Sequence, residues 1–203
     1  MNVVLYSYRR CPYAMRARMA LAYASIPVEI REISLKEKPA SMLSISPKGT
    51  VPVLHSGDLV IEQSLDIMKW ALQQSDPNDW YGATVQEAVD QLIVKNDDHF
   101  KQLLDRYKYP ERVFQGLQLT ATEALQSAVE NFIQPLDEKL ETQQFLLGDR
   151  VTLADIAIFP FIRQFSMVDL AWFDAAHYPS LKRWLNHHIE SPLFLGVMQK
   201  YPT

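Results

Sequence analysis

The sequence predicts two domains of different class: an α/β domain over residues 1–75 and an all-helical domain over 84–203, joined by a linker at 76–83. Three observations carry this reading. Through the first 75 residues, short β-prone runs alternate with stretches of helix formers. Asp76-Pro77-Asn78-Asp79 is a cluster of turn residues that breaks the pattern. Beyond it strand signals stop, and apolar residues recur at helical spacing.

In chain order the first domain reads β–α–β–α–β–β–α. Val3–Tyr8 begins with an apolar, β-prone run, a buried strand. Pro12–Ser25 is rich in Ala, Met and Arg and is expected to be helical until Ile26-Pro27. Val28–Ile33 alternates apolar and charged residues, the period of a strand with one wet face. A short helix is expected at Ala40–Ile45. Val51–Leu54 and Leu59–Ile61 form a hairpin around His55-Ser56-Gly57-Asp58. Ser64 opens a further helix, with apolar residues at helical spacing through Leu72.

In the second domain Val85, Val89, Leu92, Asn96, Phe100, Leu103 and Tyr107 trace one face of a long helix that ends at Pro110. Ala121, Leu125, Val129, Phe132, Leu136 and Leu140 trace a second, with Pro135 as a source of a kink. Thr152 and Asp155 have the spacing of a capping box, and the apolar run Ile156–Ile162 suits a central buried helix. Pro179–Ile189 is a further helix, and a short tail helix follows Ser191-Pro192.

Bulk properties narrow the function. The 203 residues are 48% hydrophobic and 22% charged, and the net charge of −4 predicts no broad nucleic-acid footprint. A single cysteine excludes an internal disulfide framework and a cysteine-rich zinc site. The five histidines show no metal-ligand spacing, so no metal is expected. No Gly-rich phosphate loop is present. The sequence begins with strand-like residues rather than a cleavable signal, and its most apolar stretch is too short to span a bilayer. The expectation is a cytoplasmic protein in a reducing setting, with no membrane partner.

Cys11 stands between the first strand and the first helix. Pro12 fits the opening turn, where its missing N–H costs nothing. That places Cys11 at a helix N-terminus, where unpaired N–H groups and the helix dipole favour an anion. A cysteine so placed loses its proton more readily, and the thiolate is the reactive form. Arg9 and Arg10 act in the same direction if they lie nearby. A lone cysteine without this context reads as a small buried apolar residue.

The pattern resembles the glutathione S-transferase superfamily over essentially the whole chain: a thioredoxin-like N-terminal domain followed by an all-helical one. Cys11-Pro12-Tyr13-Ala14 is similar to the cysteine-type members, the omega-like class and the two-domain glutaredoxins. Those glutaredoxins usually carry a second cysteine where this chain has Ala14, so the resemblance implies a monothiol mechanism. Gly49-Thr50-Val51-Pro52-Val53-Leu54 resembles the family's loop with a cis-proline. That implies that Val51 offers its backbone to the cysteinyl part of glutathione, with Pro52 holding the turn. Gln63-Ser64 resembles the family's pair at a helix start, which implies that Ser64 and the helix N–H groups hold the γ-glutamyl carboxylate. Omega-like proteins often have glutamate in place of Gln63, which leaves the subclass open. Lys38 lies where an omega-like lysine meets the glycyl carboxylate.

The resemblance further implies glutathione as co-substrate, a small electrophilic or disulfide second substrate, and a homodimer. It points to Tyr13, Phe100 and Trp172 as walls of the second-substrate site; Phe100 and Trp172 read equally as core residues. The expected activity is thiol–disulfide exchange through a mixed disulfide on Cys11, as a thioltransferase, deglutathionylating enzyme or dehydroascorbate reductase. Two alternatives stay open. Tyr6 or Ser7, near the end of the first strand, could activate glutathione for conjugation to electrophiles. Some proteins of this fold instead bind partners without catalysis.

Overall fold

The computed structural model describes residues 3–113 and 117–202. The chain divides into two compact units, Met1–Tyr81 with Ile189–Thr203, and Gly82–His188.

The first unit is built on a four-stranded mixed sheet in the order β2-β1-β3-β4. β1 (Val3–Ser7) is buried along its whole length, as a central strand of apolar residues must be. β2 (Val28–Glu32) pairs parallel to it, with Val3 opposite Val28 and Ser7 opposite Glu32. Its exposure alternates residue by residue, so the apolar–charged alternation marks an edge strand. β3 (Val53–Ser56) runs antiparallel to β1 and pairs with β4 (Leu59–Ile61). The ladder of β3 starts at Val53 rather than Val51, because Pro52 has no N–H to contribute.

A parallel pair needs a crossover, supplied here by α1 (Pro12–Tyr23). Ser25 takes a positive φ of 56° just past its end, and Ile26 N–H donates to the Leu21 carbonyl, closing the helix. Val4 and Tyr6 pack with Ile33, Val53 and Met42 of α2 (Ala40–Ile45). Strand alternation therefore sends Val3, Leu5 and Ser7 to the opposite face. α1 packs against α3 (Ser64–Gln74). The segment after α3 is fastened to α1. Tyr23 stacks on Trp80 at 3.5 Å between ring centroids and donates to Asp76 Oδ1, while the Asp76 carboxylate accepts from Trp80 and Tyr81 N–H groups. The tail helix of this unit, Pro192–Val197, packs against α1.

The second unit is helical. α4 (Gln86–Val94) continues through a π-helical stretch, Lys95–Phe100, into α5 (Lys101–Lys108). The wider turn changes the buried face. Val89, Ile93, Asn96, Phe100 and Leu104 are buried, whereas Leu92 and Leu103, expected on that face from a regular helical period, are half-buried. The same happens in α6 (Ala121–Ala128), a second π-helical stretch at Val129–Ile133, and α7 (Gln134–Glu141). There Ala124 and Ala128 are buried instead of Leu125 and Val129. Pro135 falls in the first turn of α7, directly after the wide turn, where its missing N–H is tolerated.

α8 (Leu153–Ser166) is buried on all sides from Leu153 to Ile162. Asp155, with no exposed surface, ties it in. Its Oδ2 accepts from the Thr152 N–H and hydroxyl at 2.8 and 2.9 Å, and its Oδ1 from Leu146 N–H at 2.9 Å and Trp184 Nε1 at 2.8 Å. Two short helices complete the unit's order, α9 (Leu170–Ala175) and α10 (Pro179–Ile189). The Asp137 carboxylate accepts from Leu181 N–H in the first turn of α10, at 2.7 Å. Among the described residues no helix is long and apolar enough to cross a membrane.

Candidate active site

Cys11 is the N-cap of α1, with extended backbone, φ −78° and ψ 122°. Its own N–H donates to the Tyr8 carbonyl at 2.9 Å, which folds Tyr8–Cys11 into a tight turn. Pro12 occupies the first turn of the helix, so the strand–turn–helix transition ends on the sulfur. Cys11 is half-buried, and its Sγ lies 3.8 Å from the Val51 carbonyl oxygen. No acidic residue stands in the first turn of α1 to oppose a negative charge there.

The Val51–Pro52 bond is cis. Its loop is prepared by Gly49, whose φ of +61° suits glycine. A β-carbon at Gly49 would also sit 3.2 Å from Lys38 Cδ and Nζ and from Leu43 Cδ2. The exposed Lys38 side chain therefore lies against the loop that carries Val51 and Pro52.

Gln63, exposed, is the N-cap of α3, and Ser64 is its first residue, only 4% exposed. Arg16, buried in the second turn of α1, donates from Nε to Ser64 Oγ at 2.9 Å and lies 5.1 Å from the centroid of the Tyr13 ring. Residues from four places in the sequence are thus connected within one unit: Cys11 to Val51 by the sulfur contact, Lys38 to Gly49 by packing, and α1 to Ser64 through Arg16.

Tyr6 and Ser7 face other tasks. Tyr6 lies in the core, its hydroxyl donating to Ser41 Oγ and accepting from Arg31 Nη1, both at 3.1 Å. Ser7 is fully buried. Phe100 is in the core of the helical unit, stacked on Phe132 at 4.4 Å and tilted against Phe165. Trp172, half-buried on α9, meets the edge of Phe165.

Sequence reasoning missed Arg16 and Arg18. Both are 2% exposed, although charged residues in a helix ordinarily read as its wet face. The available signal was the company they keep, since Ala14, Met15, Ala17, Met19 and Ala20 leave α1 no polar stripe.

Comparison with known proteins bears on the family and the fold. The model of the glutathione S-transferase N-terminal domain matches residues 5–79, and that of the C-terminal domain matches residues 114–192. Glutathione S-transferase omega-2 of Rattus norvegicus is 28% identical over 97% of this chain and 83% of that protein. Elongation factor 1-gamma 1 of Oryza sativa is 24% identical over 98% of this chain but only 49% of its own length. A glutathione transferase family member from Pseudomonas fluorescens, solved with two glutathione molecules bound, superposes with a TM-score of 0.76 at 20% identity, covering 97% of this chain and 92% of that one. With both domain models matched in order on an α/β unit followed by a helical one, the chain belongs to the glutathione S-transferase superfamily.

Proposed function

We propose that this glutathione transferase is a monothiol thiol–disulfide enzyme that works through Cys11. The observation that carries the reading is the half-buried Cys11 at the start of α1, its sulfur 3.8 Å from the Val51 carbonyl oxygen beside the cis-proline loop. A thiolate there gains from the helix dipole and still has access to a substrate.

Each half of the exchange moves one disulfide bond. The Cys11 thiolate attacks the glutathione sulfur of a glutathionylated substrate. The Cys11–glutathione disulfide forms, the substrate's S–S bond breaks, and the departing thiolate takes up a proton. A second glutathione, as its thiolate, attacks the glutathione sulfur on Cys11. Oxidised glutathione leaves and the Cys11 thiolate returns. With no second cysteine in the chain to resolve the mixed disulfide, the second half depends on free glutathione.

Binding follows from the same unit. The Val51 backbone pairs with the cysteinyl segment of glutathione at the cis-Pro52 turn. The start of α3, with Gln63 and Ser64, holds the γ-glutamyl carboxylate. Because Ser64 Oγ accepts from Arg16, its own O–H donates elsewhere, which is what a carboxylate needs. Lys38 takes the glycyl carboxylate, and Tyr13 borders the second substrate. Conjugation by Tyr6 is disfavoured by its engagement with Ser41 and Arg31.

Cys11→Ala is expected to lose at least about a hundredfold in reduction of a glutathionylated disulfide, the scale of removing a covalent nucleophile. Full retained activity in that variant would overturn the reading.

A further inference from the structure

Beneath the loop that carries Cys11 lies a buried ion pair that the reaction scheme above does not use. Arg18 sits two turns along α1 from Cys11, and helical side chains lean toward the N-terminus. Its guanidinium accordingly reaches back under the loop, where Nη2 donates to the Arg9 carbonyl at 2.8 Å. Glu32, the last residue of β2, is brought to the same place by its pairing with Ser7. Its Oε1 accepts from the Arg9 N–H. Both backbone polar groups of Arg9, two residues before the sulfur, are thus held by opposite charges.

The pair itself is loose. Arg18 Nη1 and Glu32 Oε2 are 3.9 Å apart, and neither atom has a hydrogen-bond partner among the described residues, although the two side chains are 2% and 9% exposed. A buried ion pair of that kind contributes little to folding compared with well-packed apolar residues. It does fix a peptide group in place. It also leaves incompletely neutralised a cation that holds the peptide two residues before the nucleophile.

The groups around the guanidinium are Glu32 from β2, Arg9 in the loop, Tyr201 and the Met198 sulfur from the tail, and Cys11. Burial lowers the Arg18 pKa, while Glu32, Tyr201 and a thiolate at Cys11 favour its charged form. By reciprocity, the Arg18 cation favours the thiolate.

The geometry points to Arg18 and Glu32 as positioning residues for Cys11: together they grip Arg9 and set the loop, and in opposition they set the charge felt by the sulfur. This deepens the cysteine reading and rests on it. The two residues cooperate mechanically but oppose each other electrostatically, which separates this role from a merely structural one.

The test is the pH dependence of Cys11 alkylation by iodoacetamide in the full-length protein, with thermal melting beside it. The native protein is first checked by mass for a glutathione adduct on Cys11 after exposure to oxidised glutathione. Arg18→Met is expected to raise the alkylation midpoint by about one pH unit, and Arg18→Lys to restore most of that shift. Glu32→Gln keeps an acceptor for Arg9 N–H but removes the opposing charge, so its midpoint is expected to fall. Glu32→Gln also stands as the test if Arg18→Met does not fold. Midpoints that stay at the native value in these variants, or that move the same way in Arg18→Met and Glu32→Gln, overturn the positioning role. A native protein that forms no adduct overturns the cysteine reading itself, independently of these shifts.

Discussion

Cys11 and Ser64 show how a residue acquires chemistry from where the backbone puts it. The cysteine is a helix N-cap without a capping oxygen, so its sulfur occupies the place where an anion is welcome. Ser64 is the first residue of α3, one past its N-cap Gln63, with its oxygen taken by Arg16. Ser64→Ala is expected to raise the KM for glutathione about tenfold while changing kcat less, the cost of one hydrogen bond to a charged group. Steady-state kinetics with varied glutathione checks this; an unchanged KM would remove Ser64 from the binding site. Cys11, Pro52 and Ser64 stand out in the sequence because each sits at an element boundary with a local signature. Arg16, Arg18 and Glu32 do not, since their roles come from contacts across 48, 9 and 23 residues that no local pattern encodes.

Among the elements, α8 illustrates a cap that became a hub. Thr152 and Asp155 have the spacing of a capping box, and the structure adds Leu146 and Trp184 to the same carboxylate. Burial pushes the Asp155 carboxyl up in pKa, against the pull of its four donors. Asp155→Ala strands those donors inside the helical unit and is expected to cost about 3 kcal/mol or more, read as a fall in the urea midpoint. A loss under about 1 kcal/mol, the size of an ordinary exposed cap, would contradict the hub. The strands of the first unit were legible because β1 and β2 carry clear patterns, one wholly apolar and one alternating. The helical faces at 85–107 and 121–140 were only partly legible. A regular period cannot anticipate the π-helical stretches at Lys95–Phe100 and Val129–Ile133, which rotate the stripe by a residue.

At the scale of the whole molecule, the two units differ in what holds them. The first depends on a sheet and the fastening of Asp76 and Tyr23, the second on aromatic and aliphatic packing around α8. His188 gives the second unit an acid weakness. It is 3% exposed, among Phe145, Phe159 and Trp184, and burial, reinforced by His187, drives its pKa down to about 3. The folded state therefore keeps it neutral while the unfolded chain takes up a proton near pH 6.5. Stability from this group is complete above pH 6.5 and falls by up to about 1.4 kcal/mol per unit as pH drops from there toward 3. Between pH 7 and 5 the native protein should lose about 2 kcal/mol more than His188→Phe, measured as the change in urea unfolding free energy. Equal losses in the two proteins would show that His188 titrates normally.

The most direct test of the account is mass analysis of the native protein after incubation with oxidised glutathione, with peptides mapped. The account predicts one glutathione added in disulfide linkage to the Cys11 peptide and released on adding reduced glutathione. A Cys11 that stays unmodified while the protein turns over a glutathionylated substrate would contradict it.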